Sequence, residues 1–191
     1  QEYDKTIIYW STGFRDLIIE DIETINCANN HKLLEIESCL KEDLSSYFYF
    51  KKSDEVTKKG KELISPKSIN DGYKNIFKSY GFTPLKPFVD GFEEIDFYKD
   101  RVAVEVQFGK YPFVIYDLFA KFKVCYENDI IDLGVEVIPS KNLAKNMSSG
   151  VPSFPSVLKT INRMNINFPV CLIGVNIKDE KSQERGILPV W

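Results

Sequence analysis

The stretch from Ile95 to Phe108 constrains this 191-residue chain more than any other. Ile95-Asp96-Phe97 is followed, across Lys99-Asp100-Arg101, by Val102-Ala103-Val104-Glu105-Val106-Gln107-Phe108. Side chains alternate between the two faces of a β-strand. Val102, Val104, Val106 and Phe108 therefore share an apolar face that packs on a core, and Ala103, Glu105 and Gln107 share the other. Two strands joined by so short a turn make a hairpin. If residues 95–98 pair with 102–108, Asp96 reaches the side of Glu105, and two carboxylates converge beside a third polar group.

Elsewhere the pattern switches between periods. Lys5 to Trp10, Asp132 to Ile138 and Pro169 to Val175 read as strands, the last nearly all apolar. Asp16 to Ile25 and Lys32 to Leu44 read as helices. Asn70 is a candidate cap for a helix ending before Gly81, with Tyr73, Ile76, Phe77 and Tyr80 on one face. Val114 to Tyr126 is a further helix with Ile115, Leu118, Phe119, Phe122 and Cys125 inward, and Ser156 to Arg163 another. The charged run at 51–62 (K-K-S-D-E-V-T-K-K-G-K-E) reads as a solvated loop, with a DNA-facing lid as the alternative. Mixed strands and helices in this order predict an α/β fold with a central mixed β-sheet flanked by helices. With no internal repeat and no long linker, residues 1–191 are expected to form one domain.

Several function classes fall away on composition. With 43% hydrophobic and 28% charged residues, the chain is neither disordered nor low-complexity. No apolar run approaches the roughly 20 residues that span a bilayer, so no membrane partner is expected. One histidine, His31, excludes a multi-His zinc site. Cys27, Cys39, Cys125 and Cys171 form no C-x-x-C pair, and no basic segment with an apolar core opens the sequence. Reduced thiols in a cytoplasm are the expectation. A net charge of −3 gives no global pull toward nucleic acid, but 25 Lys and Arg suffice for a local basic groove.

The Asp96/Glu105 pair carries two readings. Oxygen ligands of this kind suit Mg²⁺, which takes one or two carboxylates, waters and a substrate phosphate. A metal there lowers the pKa of a bound water and stabilises charge during in-line attack on a phosphodiester. The plain reading is a half-buried strand with Glu and Gln on its wet face, next to an Asp that merely precedes a turn.

Asp96, a spacer and then Glu105-Val106-Gln107 resemble the PD-(D/E)xK nucleases, with glutamine at the usual lysine. The longer run D-F-Y-K-D-R-V-A-V-E-V-Q-F-G-K-Y-P-F-V-I-Y-D-L-F resembles the type II restriction endonucleases of the BstYI/BglII family. The likeness continues through D-L-G-V-E-V-I-P and M-S-S-G, and upstream into G-K-E-L-I-S-P-K-S-I-N. It spans about Gly60 to Val175 and fades over the first fifty residues and the last fifteen. The resemblance implies a restriction-endonuclease-like fold, in which Asp96 binds metal, Glu105 binds or orients the metal and its waters, and the Val106 carbonyl is an extra ligand. Gln107 can hold a water by hydrogen bonds but cannot act as a general base.

The same resemblance implies a recognition site. Lys110 is placed to read guanine O6 and N7 or to neutralise a phosphate; its plain reading is an exposed lysine. Ser148 and Ser149 match the family's recognition loop; their plain reading is a polar turn before Gly150. A homodimer cutting a palindrome in double-stranded DNA follows, each subunit reading one half-site. Helix 114–126 is the candidate for part of the dimer interface, with Lys121 and Lys123 near phosphates; its plain reading is packing on its own sheet, and one face can do each. The implied enzyme depends on Mg²⁺, with Mn²⁺ as a substitute, leaves 5′-phosphate ends, and recognises a GATC core. It works in a bacterial or archaeal cytoplasm beside a companion methyltransferase. Alternatives are a PD-(D/E)xK nuclease of repair or nicking role, a non-catalytic DNA-binding module, and a protein-interaction α/β domain.

Overall fold

A computed structural model describes residues 15–27, 36, 52–56, 62–64, 66–91 and 94–179. The expected strand at Lys5–Trp10, His31, and the expected helix at Lys32–Leu44 apart from Ile36 lie outside these residues. Ile36 itself is helical and buried.

Six strands form the main sheet: β1 (Arg15–Ile25), β4 (Thr83–Leu85), β5 (Ile95–Lys99), β6 (Val102–Val106), β7 (Leu133–Pro139) and β8 (Val170–Asp179), in the order β1-β8-β7-β6-β5-β4. β6, β7 and β8 run parallel, and β1, β5 and β4 pair antiparallel. The sheet is therefore mixed, as the alternating pattern predicts. Asp100 and Arg101 turn the β5–β6 hairpin with φ of 48° and 65°, the doubly left-handed geometry that matches strand twist in a two-residue turn. β2 (Lys52–Val56) and β3 (Glu62–Ile64) form a separate two-stranded ribbon.

Helices cover both faces. On one, α1 (Pro66–Ser79) presents Ile69, Tyr73, Ile76 and Phe77 to Phe97, Val104, Val106, Phe108 and Val135. Phe77 stacks on Phe97 with ring centroids 4.9 Å apart, so Phe77→Ala should cost about 3–5 kcal/mol. On the other face lies a continuous helix: α2 (Tyr111–Tyr116), a π-turn (Asp117–Lys121) and α3 (Phe122–Glu127). Its Val114, Leu118, Phe122 and Cys125 pack with Ala103, Ile138 and Leu172. The short α4 (Lys141–Lys145) follows β7. α5 (Phe154–Ile161), opened by a Ser153/Ser156 capping box, adds Val157 and Ile161 to that second core. No helix among the described residues is long and apolar enough to cross a membrane.

Four expectations are corrected. Residues 16–25 are strand, not helix: β1 pairs with β8 along its whole length, with a bulge between Ile19 and Asp21. That bulge shifts the alternation and leaves apolar spacing that mimics a helix. Part of the charged run at 51–62 is strand, where Lys52 pairs with Ile64 and Val56 with Glu62. α1 begins at Pro66, a residue suited to a first turn, so Asn70 sits inside the helix rather than capping it. Finally, β6 has no wet face, because all five of its residues are buried. The helix over residues 111–127 covers the side that carries Glu105.

Candidate active site

β5 and β6 bring Asp96 and Glu105 together. The register that pairs Phe97 with Val104 sets Asp96 alongside Glu105. There the backbone N–H of Asp96 donates to Glu105 Oε1 at 3.2 Å. Asp96 is exposed, whereas Glu105 is 1% exposed. Gln107, one residue past β6, is half-buried, and its own N–H extends the ladder to the Val137 carbonyl at 2.8 Å. Asp96, Val106 and Gln107 line an open cleft of about 580 Å³, walled by Asn70, Lys74 and Lys78 of α1 and by Thr83 and Pro84.

Behind this cleft lies a polar cluster inside the second core. The parallel register aligns Glu105 with Glu136 on β7. Asp117 and Lys121, at the two ends of the π-turn, point at both carboxylates' side of the sheet. Lys121 Nζ lies 2.9 Å from Glu105 Oε1 and 3.1 Å from Asp117 Oδ1. It also sits over the Tyr116 ring, 5.9 Å from the centroid. Gln107 Nε2 donates to Asp117 Oδ2 at 3.3 Å, and Gly109 N–H donates to Gln107 Oε1 at 3.1 Å. The Gln107 amide is thus oriented at both ends.

Burial pushes the Glu105 carboxyl well above its usual range, with the adjacent Asp96 and Asp117 carboxylates adding to the rise and Lys121 opposing it. Burial also pushes Glu136 well up, reinforced by Asp117 and Glu105. Neither Glu136 oxygen accepts a hydrogen bond; in its protonated form Glu136 becomes a donor, with the Asp117 carboxylate as acceptor. Burial works to lower the Lys121 pKa, but Glu105 and Asp117 outweigh it, so its ammonium is held charged.

These donors fit a hard divalent cation at the mouth of the cleft. The Asp96 and Glu105 carboxyls lie side by side, and Asp96 and Val106 line the cleft beside Gln107. Among the described residues no three Asp, Glu, His or Cys side chains form a complete metal cage. Two carboxylates completed by carbonyl, water and substrate oxygens suit Mg²⁺ better than a closed cage does.

The residues expected to read DNA also meet. Lys110 Nζ donates to Ser148 Oγ at 3.3 Å and to the Ser149 carbonyl at 2.8 Å. Tyr111 N–H donates to the Gly150 carbonyl at 2.9 Å, tying the 148–150 loop to the start of α2. Lys121 is corrected: it is buried against carboxylates rather than placed near phosphates. Lys123 bonds Glu127 on the helix surface. Asp117 and Glu136 escaped the sequence reading, as did the part Lys121 plays between Glu105 and Asp117. Glu136 had a signal, a lone carboxylate in the apolar strand L-G-V-E-V-I-P.

The family model for restriction endonuclease BglII/BglIII matches residues 23–175, reaching further upstream than the motifs do. The fold is similar to the crystal structure of restriction endonuclease BglII complexed with a DNA 16-mer. That match has a TM-score of 0.67 and 21% identity, covering 81% of this chain and 74% of that one. It is also similar to free BglII, with a TM-score of 0.58 and 18% identity, covering 81% of this chain and 77% of that one. The search of curated protein sequences finds no match. A family match over most of the chain makes this chain a member of the BglII/BglIII restriction endonuclease family.

Proposed function

We propose that this chain is a homodimeric type II restriction endonuclease that hydrolyses both strands of duplex DNA at a short palindrome with a GATC core, leaving 5′-phosphate ends. The observation that carries the reading is a cleft lined by Asp96, Val106 and Gln107, with Glu105 held against Asp96, in a member of this family. The likeness to BglII complexed with DNA supports duplex DNA as the ligand.

Asp96 and Glu105 supply carboxylate oxygens, and Val106 its carbonyl, to a divalent cation. Held there, Mg²⁺, with Mn²⁺ as a substitute, would supply a water of lowered pKa and charge stabilisation at the phosphate. Gln107, held by Asp117 and Gly109, orients water without taking its proton. Lys74 and Lys78, one helical turn apart on the cleft wall, neutralise backbone phosphates. Lys110, with Ser148 and Ser149, reads base edges. A second copy of the chain meets the helix over residues 111–127, where Phe113 and Tyr116 are exposed apolar surface, so that two sites cut the two strands.

The experiment is digestion of unmethylated plasmid DNA with and without Mg²⁺, followed by sequencing of the fragment ends. Discrete Mg²⁺-dependent fragments sharing a palindrome are expected. Random cutting would point to a repair-type nuclease. No cutting by a folded dimer, in Mg²⁺ or Mn²⁺, would point to a binding module.

A further inference from the structure

Lys121 is a buried cation with a divided role. Its ammonium bridges Glu105 Oε1 and Asp117 Oδ1, with side chains 10%, 2% and 3% exposed respectively. Lys121 and the Asp96 N–H both donate to the same Glu105 oxygen, Oε1, and the Asp96 side chain is a further hydrogen-bonding neighbour of the Glu105 carboxyl. Asp117 divides its oxygens in the opposite sense: Oδ1 faces Lys121 and Oδ2 accepts from Gln107. One chain of contacts thus runs Glu105–Lys121–Asp117–Gln107 and joins Glu105, buried beside Asp96, to Gln107, which lines the cleft.

The π-turn makes the chain of contacts possible. In an α-helix, residues four apart drift around the axis by about 40° per step. The wider turn, closed by the Phe122 N–H on the Asp117 carbonyl, takes up that drift. Val114, Leu118 and Phe122 then stay on the sheet-facing side, and so does the polar pair Asp117 and Lys121. π-turns are rare and concentrate at functional sites. Packing alone does not call for a lysine here: a buried ion pair is commonly no better for stability than apolar residues of the same shape.

We propose that Lys121, together with Asp117, is a positioning residue of the DNA-cleaving site, holding the Glu105 carboxylate by Oε1 and, through Asp117, fixing the Gln107 amide. This rests on the reading of Glu105 and Gln107 as cleavage residues. It assigns the π-turn the task of setting both at once, from behind the sheet and out of reach of DNA.

The test uses the full-length chain with Lys121→Met, Lys121→Arg, Asp117→Asn and Glu105→Gln. For Lys121→Met, kcat with Mg²⁺ should fall about 10–100-fold, the usual loss when a ligand's supporting group is removed. KM for DNA, and DNA affinity without metal, should stay at wild-type values. Lys121→Arg keeps the charge and should recover part of the lost kcat. In metal-free protein, the Gln107 side-chain amide signal in ¹⁵N NMR, identified by its loss in Gln107→Met, should move in both Lys121→Met and Asp117→Asn. Wild-type kcat in Lys121→Met overturns the proposal, as does a parallel loss of cleavage and metal-free DNA affinity, which would mark a structural role. If Lys121→Met does not fold, Asp117→Asn decides: wild-type kcat with an unmoved Gln107 signal overturns it. Glu105→Gln separates the two levels. If that variant cuts normally, the reading of the site itself fails; if it is inactive while Lys121→Met is fully active, only the positioning role fails.

Discussion

Gly134→Ala tests whether the helix and the sheet approach as closely as the polar cluster requires. Gly134 lies on β7 two residues before Glu136, hence on the same face, beneath the Phe122 ring. A methyl group at Gly134 would stand 2.5, 2.7 and 3.0 Å from Phe122 Cδ2, Cγ and Cε2. Carbon atoms pack at about 3.5–4.0 Å, so the ring must give by roughly 1 Å. Phe122 is fully buried and directly follows Lys121, so it cannot swing into solvent. The helix has to retreat from the sheet instead. Overpacking of this kind costs about 1–3 kcal/mol, and three short contacts on a trapped ring put Gly134→Ala toward the upper end of that range. Phe122→Ala alone should cost about 3–5 kcal/mol through the cavity it opens. In the double variant the new methyl sits in that cavity and clashes with nothing. Its cost should therefore fall short of the sum of the single variants by about 2 kcal/mol. Urea unfolding of the four proteins, compared by midpoint at constant slope, measures the difference. Additivity within about 0.5 kcal/mol would refute the close approach, and with it the placement of Lys121 on Glu105.

Asp96→Asn or Glu105→Gln should abolish Mg²⁺-dependent cleavage while retaining DNA affinity, measured by fluorescence anisotropy; normal cutting by both would remove them from the site. Gly150 has φ of +85°, and a methyl there would lie 3.3 Å from Lys110 Cδ. Gly150→Ala should therefore disturb the Lys110–Ser148–Ser149 contact and reduce the ratio of cognate to non-cognate affinity by about 1–3 kcal/mol, with non-cognate binding unchanged. Lys74→Ala and Lys78→Ala should each lower the salt dependence of DNA binding by about one phosphate contact, equally on all sequences. Unfolding measured against pH reports on Glu136. Its folded-state carboxyl is raised, so the folded protein keeps a proton that the unfolded chain loses. Stability should fall as pH rises above the ordinary carboxyl range, by at most about 1.4 kcal/mol per pH unit from this group. The fall should level off above the raised value. Glu136→Gln, neutral throughout, should flatten that decline, and an unchanged slope would show that Glu136 is not its source.

What the sequence made legible was local and periodic. Strict alternation from Val102 to Val106 marked β6, and the two-residue turn at Asp100-Arg101 marked the hairpin that brings Asp96 to Glu105. β1 was misread because its partner, β8, is some 150 positions away in sequence. The pairing that decides its conformation leaves no trace in residues 16–25, and the bulge erases their alternation. The polar cluster was hidden for a different reason. Its members come from β6, β7 and the helix between them, so no spacing of motifs announces it. Asp117 and Lys121 stand four apart, the commonest arrangement of a solvated ion pair on a helix surface. What turns them inward is the π-turn, a departure from helical period that apolar spacing alone does not reveal. Glu136 was the one visible sign. A carboxylate between Val135 and Val137 in a strand buried on both sides needs a polar neighbour, and the only elements able to supply it are those packed on its face. A strand buried along its whole length that nonetheless carries an acid is therefore a reason to look for the acid's partners on the covering helix.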